Sequence, residues 1–143
     1  MEKFQLRYGV ETDRESLQRL LSENDMQTEI GPAEFLLAVS AGILVGAARL
    51  EREKGTFYLR PIVVDAKWQG QGVGRLLIRE ITSGLPELSV VSRGQSVGFY
   101  SKMGFEPFPK TQVPNRYRQE CAVCPDRVTC QPVPMVLYRH GVR

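Results

Sequence analysis

Apolar residues fall along this chain in short runs that are typical of strands. The run Phe35–Ser40 is separated by Ala41-Gly42 from a second run at 43–51, and this spacing predicts a hairpin with a tight turn. A third run lies at 56–64 and ends in the β-branched residues Ile62, Val63 and Val64. Further segments with the composition of strands lie at residues 4–8, 88–92, 105–108 and 135–138.

Three segments have the spacing of amphipathic helices. Thr12 and Glu15 fit a capping box at the start of the first helix, which carries leucines on one face and runs to about residue 24. The second and third helices are expected at 73–83 and 96–103, and each is followed by a glycine that ends it. Residues 109–134 contain five prolines and all three cysteines, and they predict a loop.

The order of these elements predicts an α+β fold, in which helices pack on a mostly antiparallel sheet. The strand–helix–strand unit at residues 56–92 is expected to place two strands in parallel. With 143 residues, the chain is expected to form a single domain over residues 1–143, with the cysteine- and proline-rich loop at 109–134 as part of it.

The composition is that of an ordinary soluble globular protein, with 42% apolar and 24% charged residues. The net charge of +3 favours anionic small ligands and is too small to indicate nucleic-acid binding. No apolar run approaches the length of about 18 residues that a membrane span needs, and the first residues lack the apolar segment of a signal peptide. We therefore expect a cytoplasmic protein with no nucleic-acid or membrane partner.

A glycine-rich turn, Gln69-Gly-Gln-Gly-Val-Gly74, follows the strand segment at 56–64, and a helix is expected to begin at Gly72 or Val73. Glycines let the backbone approach a ligand, and a helix N-terminus offers N–H groups and a positive dipole end. These features predict a site for a pyrophosphate or similar anion, although three glycines also suit a plain tight connection. The turn matches neither a Rossmann fingerprint nor a Walker A loop.

A second motif follows this turn along the chain. Gln69-x-x-Gly72-x-Gly74, followed about 25 residues later by Phe99-Tyr100-x-x-x-Gly104-Phe105, resembles the GNAT superfamily of acyl-CoA-dependent N-acetyltransferases. The resemblance covers roughly residues 30–108. It implies a mixed, mostly antiparallel sheet of about six or seven strands flanked by about four helices, with two central parallel strands that splay apart.

The resemblance implies that acetyl-CoA is the cosubstrate and that backbone N–H groups of the turn hold its pyrophosphate. The pantetheine arm would pair with exposed backbone at the end of the strand, as an added strand does, and a backbone N–H there would stabilise the developing oxyanion. The family often has Asn at the position of Arg93, which here would contact a CoA phosphate or face solvent, and Ala at the position of Ser96. The CoA contacts implied in this way are Ile62, Val63, Val64, Gln69, Gly70, Gln71, Gly72, Val73, Gly74, Arg75, Arg93, Ser96 and Phe99.

The resemblance also implies that Tyr100 is the general acid that protonates the departing CoA thiolate. Phenol and thiol have reference pKa values of about 10 and 8.5, so this proton transfer is feasible in a site without water. The alternative is that Tyr100 packs in the core beside Phe99. No general base can be assigned from the sequence, and water can relay the proton of the attacking amine.

A narrower resemblance lies near the C-terminus. Pro114-x-x-x-x-x-x-Cys121-x-x-Cys124-Pro125, followed by Cys130 and Met135, is similar to short, stand-alone GNAT proteins of the N-acetylglutamate synthase type. That branch acetylates the α-amine of an amino acid, typically glutamate. The resemblance therefore implies a small amine acceptor.

Three arginines are the substrate contacts that this narrower resemblance implies. Arg60 begins a strand similar to an Arg-Ser-Leu-Ala-Val strand of the branch, and its guanidinium would bind a substrate carboxylate. Arg116 or Arg118 could supply a second cation for a dicarboxylate. Pro61 departs from the branch, which has Ser there, and each of the three arginines could instead be a surface charge.

The three cysteines allow several interpretations. Cys121-x-x-Cys124 resembles half of a zinc site, but a fourth ligand would have to be His140, the only histidine. A redox dithiol is a second alternative. We favour a lid on the substrate side whose cysteines are free or occasionally disulfide-bonded, and we expect no metal.

The leading hypothesis is an enzyme that transfers acetyl from acetyl-CoA to a primary amine by direct attack in a ternary complex. Two other classes stay open: a GNAT-fold sensor or partner-binding module that uses bound acetyl-CoA as a signal, and a zinc-stabilised interaction domain. An acetyltransferase acting on a protein amine is a further alternative. A homodimer is an option that the sequence leaves open.

Overall fold

The computed structural model describes residues 4–24, 26, 29–124 and 131–138. Within them the chain forms seven strands and four α-helices. The strands are β1 (Gln5–Tyr8), β2 (Phe35–Ser40), β3 (Ile43–Glu53), β4 (Thr56–Val64), β5 (Glu87–Ser92), β6 (Glu106–Pro107) and β7 (Val133–Tyr138). The helices are α1 (Arg14–Glu23), α2 (Val73–Ile81), α3 (Val97–Lys102) and α4 (Asn115–Val123).

The seven strands form one mixed sheet in the order β1-β2-β3-β4-β5-β7-β6. Strands β1·β2, β2·β3, β5·β7 and β6·β7 pair in antiparallel fashion. Strand β4 pairs with β5 in parallel, with Tyr58 opposite Ser89. This confirms the predicted fold class and the predicted parallel pair. The parallel pairing follows from the strand–helix–strand connection. After β4, helix α2 carries the chain back, so that β5 runs beside β4 in the same direction.

Most strand predictions agree closely with the structure. Strands β2 and β4 have the predicted bounds, and β3 runs two residues further, to Glu53. The turn between β2 and β3 has φ of 49° at Ala41 and 80° at Gly42. Two successive residues with positive φ are what a two-residue hairpin of type I′ requires, so the tight turn was predicted correctly.

The predicted start of the first helix is wrong. Residues Glu11–Asp13 form a 3₁₀ turn, and Asp13 rather than Thr12 is the N-cap of α1. The Asp13 carboxylate accepts hydrogen bonds from both terminal nitrogens of Arg7 at 2.8 and 3.0 Å and from the Val10 N–H at 2.7 Å. These bonds, led by those from Arg7, hold the pKa of Asp13 below its usual range. The 3₁₀ turn forms because this carboxylate closes it back onto Val10.

The predicted loop at 109–134 contains a helix, and the prediction is wrong to that extent. A 3₁₀ turn at Lys110–Gln112 precedes α4, which begins after Pro114. Helix α4 buries only Tyr117, so its sequence has no apolar stripe from which a helix could be predicted. The remaining element ends differ from the predictions by one or two residues, as helix and strand termini commonly do.

The described chain divides into two compact units. Unit 1 comprises Met1–Glu51 and Leu59–Ser83, and unit 2 comprises Arg52–Tyr58 and Gly84–Arg143. The core of unit 1 brings leucines of α1 against inward-facing residues of β2, β3 and β4: Leu17, Leu20, Leu21, Phe35, Leu37, Val39, Ala47 and Val63.

A smaller core in unit 2 is built on an aromatic pair. The rings of Tyr58 in β4 and Tyr117 in α4 meet edge to face, with centroids 5.0 Å apart. Val113 completes this cluster, and Val91 and Phe108 pack against it. This contact supplies the burial that holds α4 in place. Among the described residues, no helix is both long and apolar enough to span a membrane.

Candidate functional site

The glycine-rich turn of unit 1 joins β4 to α2 and lies open to solvent. Asp65 starts it by accepting a hydrogen bond from the Lys67 N–H at 2.9 Å. Gly70 and Gly72 have φ of 80° and 89°, and a Cβ at either position would meet no described atom within 4 Å. These two glycines are therefore required by the backbone conformation rather than by a crowded neighbourhood. Residues 69–72 are all exposed.

Helix α2 is anchored so that its N-terminus emerges from this turn. Gly72 is the N-cap, and its carbonyl accepts the Leu76 N–H at 3.0 Å. A Cβ at Gly46 of β3 would lie 2.9 Å from Cγ1 of Val73 and 3.2 Å from Cδ1 of Leu77, so a glycine is needed where α2 crosses β3. The first turn of α2 follows directly on the exposed residues 69–72, and within it Val73 is buried and Arg75 is exposed. A helix N-terminus carries free N–H groups and a positive dipole end, and the predicted anion site rests on this feature.

The end of β4 combines a buried side chain with a hydrogen-bonded carbonyl. Val63 is 4% exposed and belongs to the core of unit 1, whereas Ile62 and Val64 are half-buried. The side-chain amide of Gln69 donates to the Val64 carbonyl at 3.2 Å. A pantetheine arm that pairs with this carbonyl would either share it with Gln69 or displace the Gln69 amide, because a carbonyl oxygen has two lone pairs. Sequence reasoning assigned Gln69 a backbone role only, and no sequence signal indicates this side-chain contact.

Tyr100 of unit 2 lies on α3 inside an aromatic cluster. It is 6% exposed, and its ring meets those of Phe99 and Phe105 edge to face, with centroids 5.1 and 5.2 Å away. Burial raises the pKa of Tyr100 to about 12. The phenol is therefore protonated throughout the neutral range, as a proton donor must be. Phe99, by contrast, is 40% exposed.

Arg93 and Ser96 lie at the two ends of the short 3₁₀ turn that leads into α3, with Arg93 as its N-cap and Ser96 as its last residue. Arg93 is exposed, and its carbonyl accepts hydrogen bonds from the Ser92 hydroxyl at 2.7 Å and the Ser96 N–H at 2.9 Å. Ser96 is half-buried and is the N-cap of α3. The exposed guanidinium of Arg93 is thus compatible with either alternative from the sequence, a phosphate contact or a solvent-facing charge.

Arg60 belongs to a chain of charged residues in unit 1. Its Nε lies 3.8 Å from Oε1 of Glu51, and Nη1 of Arg49 lies 3.2 Å from the other oxygen of Glu51. Arg49 also donates to the Arg60 carbonyl at 3.1 Å and approaches Glu34 at 3.4 Å. An acidic neighbour partly neutralises Arg60, which weakens the prediction that it is the main carboxylate contact.

The two arginines of α4 have different surroundings. Nη2 of Arg116 lies 3.4 Å from Oε2 of Glu53, and its guanidinium stands over the Tyr117 ring at 5.2 Å. Arg118 hydrogen-bonds Asn115 in the same helix and lines an open cavity in unit 2. Of these two predicted substrate residues, Arg118 is thus the one on the cavity wall. Glu53 and Tyr58 lie on the same wall, and the sequence had indicated no role for them.

The cysteines lie only partly within the described residues. Cys121 is in the last turn of α4 and Cys124 is its C-cap, and both are half-buried. Cys130 and His140, which the zinc alternative needs, lie outside the described residues. Among the residues that the structure covers, no group of three or more His, Cys, Asp or Glu side chains is arranged to hold a metal ion.

Similarity to known proteins agrees with this geometry. An uncharacterized N-acetyltransferase of Chlorobaculum tepidum is 25% identical over 114 residues, which cover 72% of this chain and 69% of that protein. N-acetylglutamate synthase from Neisseria gonorrhoeae, complexed with coenzyme A and N-acetyl-glutamate, superimposes with a TM-score of 0.77 at 18% identity. That match covers 98% of this chain and 36% of the synthase chain, so this chain spans little more than a third of the synthase.

A protein of Mycobacterium tuberculosis solved in complex with CoA superimposes with a TM-score of 0.73 at 16% identity, covering 94% of this chain and 98% of that one. At these identities the structural likeness shows the fold. The sequence profile of the acetyltransferase (GNAT) domain family matches residues 7–119. Because that profile covers most of the chain, from β1 to α4, the chain belongs to the GNAT acetyltransferase family.

Proposed function

We propose that this protein transfers the acetyl group of acetyl-CoA to the α-amine of an amino acid, with glutamate as the leading acceptor, by direct attack in a ternary complex. The observation that carries the proposal is the exposed glycine turn at the N-terminus of α2, in a chain of the GNAT family. CoA carries a pyrophosphate, and an open helix N-terminus is the backbone structure best suited to such an anion.

Unit 1 supplies the contacts to the pyrophosphate and the pantetheine arm of CoA in this proposal. N–H groups of residues 69–74 hold the pyrophosphate, and the exposed guanidinium of Arg75 adds a positive charge next to them. The backbone at the end of β4 pairs with the pantetheine arm, next to the hydrogen bond that Gln69 donates to the Val64 carbonyl. A backbone N–H there stabilises the oxyanion of the tetrahedral intermediate that forms when the amine attacks the thioester.

Unit 2 supplies the proton for the leaving group. Tyr100 donates its phenolic proton to the CoA thiolate as the carbon–sulfur bond breaks. With a pKa of about 12 for Tyr100 and about 8.5 for a free thiol, the transfer is uphill by roughly 5 kcal/mol in the unliganded protein. A thiolate that is removed from water also has a raised proton affinity, which reduces this difference.

The amino-acid acceptor is the finer part of the proposal. It is supported by the structural likeness to a synthase solved with N-acetyl-glutamate and by the cationic residues Arg60, Arg116 and Arg118. Arg60 and Arg116 each lie next to an acidic residue, which makes them weaker candidates for binding a substrate carboxylate. Arg118 is therefore the strongest candidate of the three. A polyamine would call for an acidic site instead, which makes it a poorer candidate.

The second candidate is an acetyl-CoA sensor without catalytic activity. The packing of Tyr100 between Phe99 and Phe105 favours it, because a tyrosine held in this way can serve as a core residue alone. In a sensor, the turn of unit 1 would bind acetyl-CoA and no amine would be consumed. An acetyltransferase that acts on a protein amine is a further alternative.

A screen of amine acceptors distinguishes these functions. Purified protein is mixed with acetyl-CoA and, in separate reactions, with each α-amino acid, polyamines or peptides with free N-termini, and the release of free CoA thiol is followed. We expect release with amino acids and the fastest release with glutamate. Release with peptides alone would favour the protein-amine alternative, and tight acetyl-CoA binding without release would favour the sensor.

A further inference from the structure

Unit 2 contains a cavity of about 230 Å³ between the turn that joins β3 to β4 and the start of α4. It is smaller than the pockets of about 300–1,000 Å³ that hold drug-sized ligands, so its volume suits a molecule of the size of a small metabolite. Most of its wall consists of polar or charged side chains. The lining residues are Glu53, Lys54, Thr56, Tyr58, Thr111, Gln112, Val113, Pro114, Asn115 and Arg118.

The charges on this wall form a specific pattern. Lys54 and Arg118 carry positive charge and Glu53 carries negative charge. A molecule that complements them has two anionic groups and one cationic group. An α-amino acid with an acidic side chain has this arrangement at neutral pH, with two carboxylates and one ammonium, whereas a neutral amino acid has only one carboxylate.

The carboxylate of Glu53 is held in position from the side of α4. Nη2 of Arg116 lies 3.4 Å from its Oε2, and a carboxylate has a second oxygen that can accept from an ammonium. Tyr58 lies on the same wall, and its ring is fixed against Tyr117 at 5.0 Å. Burial, Glu53 and Glu87 all raise the pKa of Tyr58, so it stays neutral and able to donate a hydrogen bond.

We propose that this cavity binds an α-amino acid that carries a second carboxylate, with Arg118 and Lys54 facing its carboxylates and Glu53 facing its ammonium. This inference rests on the proposed function, because it identifies the cavity as the place where the acceptor amino acid is recognised. It moves the carboxylate-binding role from Arg60 to Arg118. The hydroxyl and amide groups of Thr56, Thr111 and Asn115 can bond the remaining carboxylate oxygens.

Calorimetric titration of L-glutamate into the protein, in the absence of CoA, tests the cavity directly. Arg118→Met and Lys54→Met keep the length of the side chain and remove its charge, and each should weaken glutamate binding about tenfold. L-glutamine should bind the native protein about tenfold more weakly than L-glutamate and should respond less to these substitutions. Glu53→Gln should weaken both ligands, because both carry the ammonium.

Arg52→Met is the matched control. Arg52 lies on β3 next to Glu53, but its guanidinium stands over the Phe57 ring at 5.7 Å and it is not part of the cavity wall. This variant should bind glutamate like the native protein. Thermal unfolding of each variant establishes that the weaker binding does not result from loss of the fold.

Three outcomes would overturn the inference: native protein that does not bind glutamate, glutamine that binds as tightly as glutamate, or Arg118→Met and Lys54→Met variants with native affinity. If amino acids are acetylated while these variants keep native affinity, the proposed function stands and the cavity assignment fails. If glutamate binds with the expected charge dependence and no amine is acetylated, the cavity assignment stands and the proposed function fails.

Discussion

For Tyr100, the packing role of the ring has to be distinguished from the proposed catalytic role of the hydroxyl. Its ring is packed against Phe99 and Phe105 as in a protein core, and burial raises its pKa to about 12. A proton donor at neutral pH needs the protonated hydroxyl that this pKa ensures, whereas a core residue needs only the ring. Removing the hydroxyl while keeping the ring therefore separates the two roles.

Tyr100→Phe should lower kcat about 100-fold if the phenol protonates the leaving thiolate, since general acids contribute about 10²–10⁴-fold. The KM for acetyl-CoA should stay within about twofold, because the proton is transferred only in the transition state. Steady-state thiol release measures both constants. Tyr8→Phe, which alters a tyrosine that is 56% exposed, is the control. An unchanged kcat would assign Tyr100 to packing alone.

The raised pKa of Tyr100 also predicts how stability depends on pH. The phenol ionises near pH 10 in the unfolded chain and near pH 12 in the folded protein, so folding favours its protonated form. Its contribution to the free energy of unfolding is fully present below pH 10. As the pH rises towards 12, this contribution is lost, by roughly 2–3 kcal/mol in all. Urea unfolding at pH 8, 10 and 11 should show a smaller loss for Tyr100→Phe than for the native protein.

Part of this alkaline loss should persist in the variant, because Tyr58 has a pKa raised in the same direction. Tyr8→Phe again serves as the control and should follow the native protein. If native and Tyr100→Phe proteins lost stability in parallel between pH 10 and 11, the burial of the phenol would not be the source of the effect.

Individual residues were predicted from the sequence where the chemistry is local, and missed where it depends on distant neighbours. Gly72 as the start of α2 follows from its own sequence context. The partner of Arg60 cannot be inferred from local sequence, because Glu51 lies on another strand and meets Arg60 only once β3 and β4 are neighbours. The same holds for Glu53, which Arg116 of α4 approaches.

At the scale of elements, the glycine turn between β4 and α2 is the proposed site for the CoA pyrophosphate, and its glycines are also required by the backbone conformation. Gly70 and Gly72 have positive φ, and Gly42 of the β2–β3 turn has a φ of 80°, the same as Gly70. A Cβ at any of the three would meet no described atom within 4 Å. Replacing any of them with alanine thus imposes the same kind of backbone strain, with or without a ligand site nearby.

Gly70→Ala and Gly72→Ala should each destabilise the protein by about 1–2 kcal/mol, and so should the control Gly42→Ala, because an L-residue is disfavoured at these φ values. Only the first two should weaken acetyl-CoA binding, by about tenfold, because they distort the N–H groups that hold the pyrophosphate. Chemical denaturation and calorimetric titration of acetyl-CoA measure the two effects. Equal loss of affinity in Gly42→Ala would contradict a role for the turn.

The elements themselves were predictable where a periodic pattern exists. Strand β2 is apolar from Phe35 to Val39, and β4 carries apolar runs on both sides of Arg60, so their bounds were predicted correctly. Helix α4 has Tyr117 as its one buried residue, and it is fixed by contact with Tyr58 rather than by an apolar face of its own. That contact joins residues far apart in sequence, so no local pattern could indicate the helix.

At the scale of the whole molecule, sheet order and family agree with each other. The two motifs at 69–74 and 99–105 flank β5, the strand that pairs in parallel with β4, and the family profile spans both motifs. The proposed acceptor cavity could not be predicted to the same depth, because its lining side chains come from the start of α4 and the β3–β4 turn, which lie far apart in sequence.

Product analysis by mass spectrometry after incubation with acetyl-CoA and L-glutamate tests the central proposal most directly. The account predicts N-acetylglutamate acetylated on the α-amine, formed in equal amount with free CoA, and less product from neutral amino acids. It would be contradicted by acetyl-CoA that binds the protein but is not consumed with glutamate or any other α-amino acid.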